Sequence, residues 1–137
     1  MNIAEWAEEL TESLADGPGA PGLLTLAQCG DTTASDEVID LARHAADAAG
    51  WPLYELSADQ AGGTPFPPQE TGFLILRDVV APLPPGVPVL VAAFQHLVRR
   101  GQPVGLLVVG PPEGLDALRK HPAMGFLSRA EWVVHDR

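Results

Sequence analysis

Residues Leu23 to Gly50 read LLTLAQCGDTTASDEVIDLARHAADAAG, and this stretch decides the fold. Leu23–Ala27 predicts a short buried strand, a polar and small-residue stretch follows, and an amphipathic helix closes at Gly50. Strand, tight loop and helix N-terminus in that order is where backbone amides and the helix dipole hold phosphate. The phosphate-loop pattern G-x-x-x-x-G-K-[ST] fits the length from Gln28 to Ser35 without a gap. Its chemistry does not fit. Gln28 stands at the first glycine, Cys29, Gly30, Asp31 and Thr32 fill the variable positions, Thr33 takes the second glycine and Ala34 the lysine. Only Ser35 keeps the residue type that the pattern asks for.

The helix that follows is expected to be capped by Thr33 or Ser35, with Asp36 and Glu37 in its first turn, where the dipole favours anions. Val38, Ile39, Leu41, Ala42, Ala45, Ala46 and Ala49 give it an apolar face. Gly50 is a natural left-handed terminator, and Trp51-Pro52 prevents continuation.

Upstream, Ile3, Trp6, Ala7, Leu10 and Leu14 recur at helical spacing, with glutamates on the remaining faces. Residues 1–16 therefore predict an acidic amphipathic helix, ended by Asp16-Gly17-Pro18. Its stripe either docks a partner or packs on its own domain, and the second is the expectation. Downstream, Leu53–Leu56 predicts a second strand, and Ala58–Thr71 is a Gly/Pro-rich segment without period, expected to be mobile. GFLILRDVV (Gly72–Val80) reads as a third strand covered on both faces. Val87–Arg100 predicts a helix, Val104–Val109 a fourth strand, Pro111-Pro112 a helix running through His121, and Trp132–Val134 a fifth strand. Strands alternating with helices require a mainly parallel α/β sheet with helices on both faces.

The 137 residues fit one domain, large enough to bury roughly two-thirds of the unfolded surface. A net charge of −10 argues against a nucleic-acid-binding surface, which needs clustered Lys and Arg. No apolar run approaches the ~20 residues of a membrane helix, and the acidic start MNIAEWAEEL is unlike a signal peptide. A cytoplasmic protein is expected. His44, His96, His121 and His135 show no metal-ligand spacing, and one cysteine forms no internal disulfide.

The order of these pieces resembles the nucleotide-binding domain of AAA+ ATPases, especially bacterial relatives of origin-recognition ATPases. The resemblance runs from about Leu23 to the C-terminus, through AADAAGWPLYEL, GFLILRDVV, HLVRRGQPVGLLVVGPPEGL and FLSRAEWVV. It implies a five-stranded sheet in the order 5-1-4-3-2, P-loop NTPase-like. In the family the strand matching GFLILRDVV ends in two acids that hold magnesium and activate water; here those places read Arg77-Asp78, so one acid is missing. Arg129 matches, loosely, an arginine that reaches a neighbouring subunit's nucleotide. The family's helical lid would follow Arg137, where this sequence stops.

A loop lysine ~4 Å from a phosphate is worth roughly 4 kcal/mol at an effective dielectric of 20. Ala34 forgoes it, Thr33 puts side-chain atoms where backbone must approach phosphate, and Asp31 and Asp36 repel a triphosphate. No ATP turnover is expected. Cys29 near a helix N-terminus lacks an evident base or resolving cysteine and reads as unreactive. GPPEGL (Gly110–Leu115) is a poor phosphate loop, because its prolines remove amide donors. The sequence thus predicts a non-catalytic P-loop-like module for protein interaction or regulation, with no cofactor, metal, nucleic acid or membrane contact, and with a protein partner or self-association. The alternatives are weak nucleotide or anion binding at residues 28–35, or an accessory subunit of a partner ATPase.

Overall fold

The structure is a computed structural model that describes residues 2–63 and 71–136. Its elements are α1 (Ile3–Asp16), β1 (Leu24–Cys29), α2 (Thr32–Ala49), β2 (Leu53–Ser57), β3 (Gly72–Arg77), α3 (Gly86–Arg99), β4 (Val104–Gly110), α4 (Pro112–Arg119) and β5 (Glu131–His135). Three 3-10 segments, Pro21–Leu23, Ala58–Gly63 and Pro122–Arg129, connect them.

The five strands form one sheet in the order β2-β3-β4-β1-β5, every pairing parallel. Read from the other edge, this is the expected 5-1-4-3-2. From β1 the chain steps across two strands to the β2 edge; from β2 onward every step runs the opposite way. Right-handed crossovers therefore put α2 on one face and α3 and α4 on the other.

Two cores result, divided by the two-residue period of the strands. On β4, Leu107 and Val109 join Trp6, Leu10, Ile39 and Phe73 under α1 and α2. Leu106 and Val108 join Val91, Phe94, Leu115 and Leu118 under α3 and α4. All seven β4 residues are buried, as the central strand of a doubly covered sheet requires.

The N-terminal helix packs on its own domain. Trp6, Leu10 and Leu14 are buried against the α2 side of the sheet. The Trp6 indole N–H donates to Thr25 Oγ1 at 3.0 Å, and the Trp51 indole N–H donates to the Leu14 carbonyl at 3.1 Å. Gly50 ends α2 at φ 73°, where a Cβ would be strained.

Several boundaries differ from the sequence reading. The first strand begins at Leu24 and runs on to Cys29, because Gln28 and Cys29 continue the parallel register with β4 and β5. The third strand ends at Arg77, because Asp78 turns to φ 58°. The helix after Pro111 stops at Arg119. Of the Ala58–Thr71 segment, Ala58–Gly63 is a 3-10 turn with Ala58 and Ala61 buried. Residues 64–70 lie outside the described residues. No helix among those described is long and apolar enough to cross a membrane.

Candidate functional site

In open α/β sheets the crevice for ligands lies beyond the carboxyl ends of the strands, where neighbouring strands send their chains to opposite faces. Here that place lies between β1 and β4; residues 28–35 and Arg77-Asp78 belong to this end of the sheet, and Arg129 to the opposite one.

The connection from β1 to α2 is two residues, Gly30 and Asp31. The cap is Asp31, not Thr33 or Ser35. Its Oδ1 accepts from the Ala34 amide at 2.8 Å, and its carbonyl accepts from the Ser35 amide at 3.1 Å. Asp36 and Glu37 consequently lie beyond the first turn, which carries no acid. A phosphate cradle needs a loop that bows out and leaves amides free. At the start of α2 the Ala34 amide is instead taken by a carboxylate of the chain itself. A second carboxylate lies close: a Cβ on Gly30 would sit 2.7 Å from Asp136 Oδ1.

The eight positions from Gln28 to Ser35 do not converge. Gln28 lines a shallow cavity of about 360 Å³ on the α4 side, with Glu113, Asp116, Arg119 and Trp132. The Arg119 guanidinium stacks over the Trp132 ring, 4.9 Å from its centroid. Cys29 points to the α2 side and is 3% exposed. Burial pushes its thiol pKa up, the Ser35 hydroxyl opposes this, and Asp136 and Asp31 raise it further. Thr32 and Thr33 are exposed on the first turn of α2, and Ala34 is 0% exposed beneath it. His44 has its Nδ1 on the Asp40 carbonyl at 2.8 Å.

Arg77 and Asp78 do come together with this region. Arg77 Nη2 donates to Asp36 Oδ1 at 3.1 Å, and Arg77 Nε lies 3.6 Å from Asp78 Oδ2. The Ser57 hydroxyl donates to the same Asp78 oxygen at 3.4 Å. The guanidinium is thus shared between two carboxylates. Among the described residues no group of three or more His, Cys, Asp or Glu is placed to hold a metal ion.

The feature that sequence reasoning passed over is Val79. It is 0% exposed, its amide donates to the Val109 carbonyl at 3.1 Å, and its own carbonyl lies against Gly110 and Gly114. A Cβ on either glycine would overlap that carbonyl. The chain leaving β3 therefore lies across the end of β4 and the start of α4. The signal was the pair of glycines in GPPEGL, which marks a close backbone approach rather than a phosphate contact. Comparison with protein-family models and with curated proteins finds no match to this sequence.

Proposed function

We propose that this chain is a non-catalytic, P-loop-like α/β domain of the cytoplasm that serves as a protein-interaction or regulatory module. The observation that carries this reading is the start of α2, where the turn from β1 is only two residues long and the Asp31 carboxylate takes the Ala34 amide. Asp36, Asp78, Glu113 and Asp136 surround the same end of the sheet, and Arg77 is engaged by two of them. An added polyanion there meets like charge, and the Ala34 amide is already taken.

A helix start capped by its own chain leaves the surface to carry function. Val80 and Val89, 47% and 70% exposed, flank the proline-rich connection from β3 to α3. Val89 lines a groove with Leu83, Pro84, Pro88 and Ala92, an apolar surface that favours a contact with another protein, and the net charge of −10 steers a basic partner toward it.

Isothermal titration with ATP, ADP and GTP, with and without magnesium, should give no saturable heat. Sedimentation at low salt, with cross-linking after purification from the native host, should show self-association or a partner joined near residues 28–37 or 80–89. A nucleotide heat that disappears in Ser35→Ala would instead favour an anion site at residues 28–35. A strict monomer that cross-links to nothing would remove the interaction reading.

A further inference from the structure

At the opposite end of the sheet, a cavity of about 230 Å³ opens beneath the first residues of β1 and β4. That is about half again the ~150 Å³ cavity that admits a benzene ring. About half of its lining is apolar, supplied by Leu23, Leu24, Phe94, Val98, Val104 and Phe126, and the other half is polar. The gap exists because the turn between α1 and β1 passes over it with Gly19 and Ala20, which lack the bulk to fill it. Gly19 sits at φ 85°, so no larger residue is accommodated there without strain.

Two polar side chains complete the lining, Gln95 and Arg129. Arg129 is exposed and makes no ion pair or hydrogen bond among the described residues. The acid nearest to it in sequence, Glu131, faces Glu9 on the α1 side of the sheet. The mouth also lies at the C-terminal end of α3, whose dipole by itself favours cations. Arg99 and Arg100, in and just after the last turn of that helix, set positive charge against it. Glu9, Glu12 and Glu131 lie at this end too, but on the α1 face of the sheet.

A half-open cavity with an apolar wall, a polar wall and one uncommitted guanidinium at its rim fits an amphiphilic ligand. The tail must be apolar and the size of one ring or a short acyl chain, and the head must be an anion that a planar fork of N–H donors can grip. We propose that this cavity binds small monocarboxylates with an aryl or short acyl body, the carboxylate on Arg129 and the body between Phe94, Val98 and Phe126.

Phenylacetate and hexanoate, each beside its neutral amide, are the probes, read by thermal shift and by protein-observed NMR. The carboxylates should raise the unfolding midpoint and shift resonances saturably, with the amides at least tenfold weaker. Arg129→Gln should erase that preference. Val98→Phe, or Gln95→Trp should the first variant lose its fold, should block acids and amides alike. The proposal is overturned if neither carboxylate binds saturably, if the amides bind equally well, or if the preference survives Arg129→Gln. None of these outcomes involves the carboxyl end of the sheet, so they leave the interaction reading untouched.

Discussion

The Trp6 indole N–H donates to Thr25 Oγ1 at 3.0 Å, with the two residues 0% and 1% exposed. This bond ties the N-terminal helix to the second residue of β1 and makes α1 part of the core. Thr25→Val keeps the shape but orphans a buried donor, which should cost about 1–3 kcal/mol. Trp6→Ala removes donor and ring and should cost about 3–5 kcal/mol. Urea denaturation checks both, and an unchanged midpoint in Trp6→Ala would mean that α1 is dispensable to the fold.

Gly114 offers a second test, because its Cα lies under the Val79 carbonyl and that neighbour is backbone. Gly114→Ala must displace either the chain leaving β3 or the start of α4, at about 3 kcal/mol by the usual scale of overpacking. Gly125→Ala is the control: a Cβ there meets nothing within 4 Å, and the midpoint should hardly move. Equal effects at the two positions would contradict the close approach.

What was legible in the sequence was whatever apolar spacing alone decides. The five strands, the Trp6–Leu14 stripe and the Gly50 terminator follow from periods of two and 3.6 and from one left-handed residue. From these the strand order was expected through a resemblance, since periodicity says nothing about which strands are neighbours. The start of α2 was misread because Asp31, Thr33 and Ser35 are all good caps, and only the register of Gln28 and Cys29 with β5 selects the first. Of the Val79 contact only one side was legible: the glycines of GPPEGL mark a close backbone approach, but the chain that approaches lies thirty or more positions away. The cavity beside Arg129 was illegible for a similar reason: it is a gap between four segments, and gaps have no spacing.

Two carboxylates should give opposite pH responses on either side of the ordinary glutamate value of 4.5. Glu55 accepts from Arg43 Nε at 2.7 Å and Nη2 at 2.8 Å, and these bonds hold its pKa below that value. Its contribution is present above pH 4.5 and is lost as pH falls through the lowered value. Glu9 is raised, by burial first and then by the Glu131 and Glu12 carboxylates, and its Oε2 has no hydrogen-bond partner among the described residues. The folded state therefore holds that proton more tightly than the unfolded chain, and stability declines as pH rises from 4.5 through the raised value. Glu9→Gln should be more stable than the parent at pH 7, with the difference fading in acid. Arg43→Met should be less stable at pH 7, its deficit also fading in acid. A Glu9→Gln difference that stays constant from pH 4 to pH 7 would show that Glu9 titrates normally.

The double substitution Thr33→Gly with Ala34→Lys rebuilds the glycine and lysine of a phosphate loop, and the fold should reject it. Thr33 is exposed in the first turn of α2, so glycine there costs only a few tenths of a kcal/mol. Ala34 is 0% exposed, packed in the core under α2, with its amide on Asp31. A lysine at that position must bury an unpaired ammonium or lift the helix, a loss of roughly 3–5 kcal/mol. Single domains have only about 5–15 kcal/mol to lose, so the change should be plain in a urea titration. No nucleotide affinity should return with it. The two-residue turn leaves no room for the bowed loop that would aim the lysine outward, and Arg77 stays between Asp36 and Asp78. A double variant with the parent's midpoint and saturable binding of magnesium-ATP would mean that the β1–α2 turn can open, and the self-capped helix start would no longer argue against nucleotide binding.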